Sequence, residues 1–180
     1  MFFKLGKMGG CCSIDDNIIS DHSTIEKYII EDCNFRKNNG SSINLDKQLK
    51  LQRIEIICIG CFLYKNRDLI DAHEIEILIR DKSIGETKFR PDLIYKKHGK
   101  VYHIEIDENS HSGYDKYKES NRYETIKSYC ISNYGSYNLI RFNPNVYGKL
   151  NDEKSKLKIS DQFFNLLNNI DGLLQFEKQK

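Results

Sequence analysis

The stretch RPDLIYKKHGKVYHIEID, residues 90–107, constrains the fold more than any other part of the chain. Polar and apolar residues alternate on both sides of His98-Gly99, and the glycine supplies the positive φ that a two-residue hairpin turn needs. A hairpin centred there sets Asp92 opposite Glu105 and Arg90 opposite Asp107. Leu93, Tyr95, Tyr102, Ile104 and Ile106 then share the other face, which is expected to be a core face. His103, Glu105 and Asp107 project from the polar side.

Directly opposed side chains have Cβ atoms about 4.5–5.5 Å apart, and two carboxylates at that distance repel unless a cation lies between them. Hard oxygen donors favour Mg²⁺ or Mn²⁺. His103 and His111 leave a zinc site open as an alternative. Asp107 has a competing structural reading, as half of a cross-strand ion pair with Arg90.

The remaining elements are read around this hairpin. Ser23-Thr24 is placed to cap a short helix through IEKYIIED, and KNNGSSINLDK has the chemistry of a loop. RIEIICIGCF, dense in isoleucine, reads as a buried strand. Asp71 then caps a helix over AHEIEILIRD, with Ile75, Leu78 and Ile79 on one face and Glu74 and Glu76 elsewhere. SIGETKF is a loop, Tyr114 to about Ser132 a long helix, and YNLIRFNP a strand closed by Pro144. A final amphipathic helix, SDQFFNLLNNIDGLLQF, starts at Ser160. This order predicts an α/β fold, a mixed sheet with helices packed on it. Residues 1–48 form an N-terminal appendage, 49–150 the core domain and 151–180 the C-terminal helix.

With 180 residues, 39% of them hydrophobic, the chain is large enough for one core, and a net charge of +2 creates no strong overall field. The six cysteines do not form a disulfide framework: Cys11 and Cys12 are adjacent, Cys58 and Cys61 lie in an apolar run, and Cys33 and Cys130 stand alone. Cys58-Ile-Gly-Cys61 has the spacing of half a zinc site with no second half, so buried reduced thiols and an intracellular, cytoplasmic or nuclear location are expected. MGGCCS at Met8–Ser13 fits an acylation pattern only if translation starts at Met8, and otherwise reads as a glycine-rich tail. No membrane association is expected, since no run reaches a spanning length.

RPDL, a strand ending IEIDENSH, Y..Y.E..R on a helix, and LIRFNP together resemble the PD-(D/E)xK nuclease superfamily, with restriction-endonuclease-like folds. The similarity is greatest to the branch found in large DNA viruses and related to very-short-patch-repair and homing endonucleases, where the second motif commonly reads E-x-D-x-x-x-H. It spans about Asp71 to Gly148. The resemblance implies an endonuclease in which Asp92 and Glu105 ligate Mg²⁺ or Mn²⁺, Asp107 assists, and His111 lies close to the reacting phosphate. It also implies an outer ligand at Glu74 or Glu76, on the helix before the hairpin. Asp107 stands where the superfamily usually has lysine, which leaves the general base open.

Phosphodiester hydrolysis needs an in-line water and neutralised phosphoryl charge, both of which a carboxylate-held cation provides. His111, with an unperturbed pKa near neutrality, is suited to orient or deprotonate the water. For DNA contact the candidates are Lys88, Arg90, Lys116, Lys118, Arg122 and Arg141, with Tyr114, Tyr117 and Tyr123 as stacking groups. Arg122 and Glu119 lie one helical turn apart and form an equally good ion pair. The alternative to an endonuclease is a non-catalytic nucleic-acid-binding module of the same fold, and a homodimer is left open.

Overall fold

The computed structural model describes residues 23–107, 115–148 and 150–170. Met8, Cys11, Cys12, His111 and Tyr114 lie outside the described residues. The order is α1 (Thr24–Asn38), α2 (Leu45–Leu51), α3 (Ile54–Lys65), α4 (Arg67–Asp71), β1 (Ile75–Arg80), β2 (Leu93–Lys97), β3 (Lys100–Ile106), α5 (Lys116–Tyr134), β4 (Asn138–Phe142) and α6 (Glu153–Asn168). The sheet runs β1-β2-β3-β4, with β1, β2 and β3 antiparallel and β4 parallel to β3. This is an α/β fold with a mixed sheet.

Local chemistry explains the helix starts. Ser23 and Glu26 form a reciprocal capping box at α1, with Ser23 N–H donating to Glu26 at 2.9 Å. Asp115 caps α5 by accepting from Tyr117 N–H at 3.0 Å, and Gly135 ends it in the left-handed region at φ +76°. The hairpin has the expected register, Leu93 opposite Ile104 and Tyr95 opposite Tyr102. Both turn residues have positive φ, His98 at +49° and Gly99 at +74°, as a type I′ turn requires.

Four expectations are overturned. RIEIICIGCF is helical, as α3, and not a strand: ten successive residues from Ile54 to Leu63 are buried, so apolar periodicity carries no signal. AHEIEILIRD is not a helix capped by Asp71 but contains β1, where Ile75 and Ile77 alternate with the exposed Glu76. Asp152, and not Ser160, caps the last helix, accepting from Ser155 N–H at 2.9 Å, while Ser160 lies buried within it. Residues 24–38 are no appendage, since Ile25, Tyr28, Ile29 and Cys33 belong to the same core as the sheet.

That core joins α1, α3, α6 and one sheet face, including Leu93, Tyr95, Tyr102, Ile104 and Ile106 as the alternation requires. The backbones of α1 and α3 touch at Gly60, where a Cβ would fall 1.9 Å from the Tyr28 carbonyl oxygen. Cys33, Cys58 and Cys61 are buried there as thiols outside any disulfide. The opposite face is roofed by α5 over a smaller cluster of Ile79, Ile84, Ile94, Val101, Ile126 and Cys130. Among the described residues no helix is long and apolar enough to cross a membrane.

Candidate active site

The polar cluster lies at the end of the hairpin remote from its turn, between the roof helix α5 and the core helix α3. Asp92 immediately precedes β2 and Glu105 lies near the end of β3, so the register that pairs Leu93 with Ile104 carries these two acids to the same level. Asp92 accepts from the Ile106 backbone N–H at 2.8 Å, which ties the end of one strand to the next. Glu105 is only 4% exposed. Its Oε1 accepts from Arg122 of α5 at 2.7 Å and also bonds the His103 ring Nε2. His103 is fully buried, and its Nδ1 lies 3.1 Å from the Tyr137 hydroxyl. Because a carboxylate only accepts, Nε2 carries the proton toward Glu105.

A third acid joins them from α3. Glu55, 8% exposed, accepts from Arg80 at 3.0 Å through Oε1 and from Arg53 at 2.7 Å through Oε2. Burial, followed by the charges of Glu55 and Glu105, pushes the Asp92 carboxyl up to about 8, against the opposing effects of the Ile106 N–H and Arg80. At Arg122 burial opposes the charged form, but the charge and hydrogen bond of Glu105, with smaller contributions from Tyr123 and Asp92, together outweigh it and raise the guanidinium. Tyr123 and Tyr137 are raised by burial and by Glu105's charge, so both hydroxyls remain protonated donors or acceptors.

Asp107 does not pair with Arg90. Its partner is Arg141 of β4, whose Nε and Nη2 both reach Asp107 Oδ2, at 2.8 and 2.7 Å. The parallel pairing of β3 and β4 causes this, because Arg141 is the register partner of Glu105 and leans toward Asp107. Arg90, more than half exposed, is turned toward Asp81, 3.1 Å away. Glu119 accepts from Tyr123 at 3.2 Å and Arg141 at 3.4 Å, while Arg122 reaches Glu105 and the Arg90 carbonyl at 3.2 Å.

Glu74 and Glu76 are not near the acids. Glu76 pairs with Lys96, four strand positions from Asp92, or about 13 Å along the hairpin, and Glu74 lies farther toward the turn. The further acid whose charge acts on Asp92 is Glu55. Its signal lay in the length of the run from Ile54 to Lys65, which is helical in length rather than strand-like, with Glu55 as its lone acid. Lys88, in the loop between β1 and β2, and Tyr117 and Lys118, in the first turn of α5, are exposed, Tyr117 at 83%. Tyr123 is not an open stacking platform, since its ring is covered by Arg122, Arg141 and His103.

Among the described residues, no group of three or more His, Cys, Asp and Glu side chains is drawn together tightly enough to enclose a metal ion. The donor set nonetheless fits Mg²⁺ or Mn²⁺ better than zinc: carboxylates from three elements, with no cysteine among them. Such cations keep several waters and need only one or two protein carboxylates. No hydrogen bond from the described residues reaches Asp92 Oδ1 or Glu105 Oε2, which leaves one oxygen of each acid for a further partner. No protein-family model, curated protein or solved structure matches the chain, so what this site does has to be argued from its own acids and guanidinium groups.

Proposed function

We propose that the protein is a metal-dependent DNA endonuclease of the PD-(D/E)xK type. The observation that carries the reading is the Asp92 carboxyl, which burial first and then the nearby charges of Glu55 and Glu105 push up to about 8. Buried acids that repel one another are costly to a fold, and clustered carboxylates with perturbed affinity for protons are common where a cation or a reacting group belongs. Asp92 and Glu105 would hold Mg²⁺ or Mn²⁺, with Glu55 as the third acid in place of Glu74. The bound cation would neutralise phosphoryl charge and make a water molecule acidic.

The protein's own groups contribute the rest. Glu105 is fixed by His103 and Arg122, so its second oxygen has a set direction. Arg122, with its side chain 21% exposed, is placed to transfer a hydrogen bond from Glu105 to a phosphate oxygen. Lys88, Arg90, Lys118 and Tyr117 flank the site as sequence-independent contacts to the DNA backbone. His111, outside the described residues, is proposed to orient the attacking water, because Asp107 is committed to Arg141.

A second reading is favoured by one feature. Glu105 is already neutralised internally by Arg122, as it would be in a nucleic-acid-binding module that has no metal. Supercoiled plasmid incubated with the protein and Mg²⁺, Mn²⁺ or chelator separates the two. Metal-dependent cleavage that disappears in Asp92→Ala supports the nuclease. Folded protein that binds DNA yet cleaves neither single nor double strands, with binding unchanged in Asp92→Ala, selects the module.

A further inference from the structure

We propose that Arg80 is the positioning residue of the acid site, clasping Glu55 of α3 and the backbone of Asp92 so that acids from two separate elements face each other at a fixed distance. The inference rests on the nuclease reading for its purpose, though not for its geometry. Arg80 ends β1 and is 3% exposed. Its guanidinium donates to Glu55 Oε1 at 3.0 Å and to the Asp92 carbonyl at 2.9 Å through the same Nη1. On its other side it donates to Asp32 of α1, at 2.7 Å from Nε and 3.2 Å from Nη2.

Two features of the chain aim this group. The pairing of β1 with β2 slips by one residue between Ile77 and Ile79. Without that bulge, strand alternation would turn residue 80 toward the roof helix and residue 79 into the core. With it, Ile79 joins the small roof cluster and Arg80 enters the core side beside α1 and α3. The second feature is Asp32, fully buried, which holds the guanidinium from behind and is itself approached by Arg36 at 3.5 Å. Buried ion pairs are seldom more stabilising than apolar residues of similar volume, so a strand bulge and a buried Asp–Arg–Glu chain are poorly explained by stability alone. They are explained by geometry: carboxylates around a cation must be held to within a fraction of an ångström, and partners behind the ligands typically govern 10–100-fold in metal affinity.

The test compares full-length wild type, Arg80→Lys, Glu55→Gln and the double variant by Mn²⁺ titration calorimetry, Mn²⁺-dependent plasmid cleavage and crystal structures. Lysine keeps the buried charge but lacks the forked geometry that reaches Asp32, Glu55 and Asp92 together. The expected result is a folded Arg80→Lys with Mn²⁺ affinity down at least ~10-fold, and a double variant weakened by less than the two single effects combined. Lowered thermal stability with Mn²⁺ affinity and turnover unchanged, or fully additive losses, would overturn the proposal. If Arg80→Lys does not fold, Asp32→Asn loosens the same clasp from behind and is read the same way. If wild type neither binds Mn²⁺ nor cleaves, the nuclease reading fails. The positioning claim is then decided by the crystal structures: a Glu55 carboxylate displaced from Asp92 by ~1 Å or more upholds it, and an unmoved one removes it.

Discussion

Among the described residues, twenty-three buried apolar side chains on one face of the sheet, from α1, α3, α6 with Ile170 beyond it, and the strands, form a continuous core. Under α5, on the other face, six of the described buried apolar side chains gather, and the neighbouring space goes to His103, Glu105, Arg122 and Asp107 with its Arg141. Apolar burial contributes about 25 cal/mol per Å², whereas a buried polar network stabilises little and is expensive to leave half satisfied. The stability of the fold therefore resides mainly on the first face, and most of the site's polar groups lie on the second, with Glu55 and Arg80 reaching it from the core side.

The sharpest test of that division is activity. Asp92→Ala and Glu105→Ala are each expected to lower Mg²⁺-dependent cleavage by at least ~10³-fold. Their effects on the metal-free fold should diverge. Asp92→Ala removes a carboxyl that is costly to ionise but also the acceptor of the Ile106 N–H, so its net effect should stay within ~1 kcal/mol, whereas Glu105→Ala strands Arg122 and His103 and costs ~1–3 kcal/mol. Equal stability effects in urea unfolding would show that the two acids do not differ as their partners imply.

Next in size is the contrast between the faces themselves. Phe163→Ala, in the main core, should cost ~3–5 kcal/mol, and Val101→Ala, under α5, ~1–2 kcal/mol. Denaturant midpoints decide this, and comparable losses would mean that the roof cluster is as important as the core.

Acidity provides a smaller effect of definite sign. The folded-state value for Asp92, about 8, lies above its ordinary value of 3.8, so the folded protein retains a proton that the unfolded chain releases. The stability of metal-free protein should be highest below about pH 4 as far as this group is concerned, and fall as pH rises through 8. Asp92→Asn should flatten that slope and gain ~1–3 kcal/mol at pH 8 over wild type. Urea unfolding of both proteins at pH 5 and 8 measures it, and identical slopes would remove Asp92's raised affinity for protons.

The smallest effect distinguishes the two arginines. Arg141→Ala releases Asp107, which is only 7% exposed, and should cost about 1 kcal/mol. Arg90→Ala should fall within ~0.5 kcal/mol, because its contact with Asp81 is largely in water. The reverse order would restore Arg90 as the partner of Asp107.

The hairpin was fully legible from sequence because its register depends on local chemistry: a glycine turn and a two-residue alternation whose apolar half must enter a core. That placed Asp92 and Glu105 at one level. The third acid was hidden because α3 is apolar on every side, and a uniformly buried segment has no period to reveal helix or strand. β1 was misread for the opposite reason, since its bulge breaks the alternation and Ile75, Leu78 and Ile79 then imitate a helical face. The Asp107–Arg141 and Glu105–Arg122 pairs depend on how β4 and α5 return to the hairpin, which no local pattern encodes.

Gly60, five residues beyond Glu55 on α3, gives this architecture a mechanical weak point. Its absent Cβ would press on the Tyr28 carbonyl oxygen and carbon, at 1.9 and 2.6 Å, and neither main-chain atom can swing aside. An added methyl group must therefore lift α1 away from α3 as a body. Asp32 rides on α1 one helical turn beyond Tyr28, and Arg80 depends on it for two of its hydrogen bonds. The helix thus acts as a lever whose fulcrum is a missing side chain: a single carbon atom added in the main core would be transmitted along α1 to the clasp that sets the spacing of the acids.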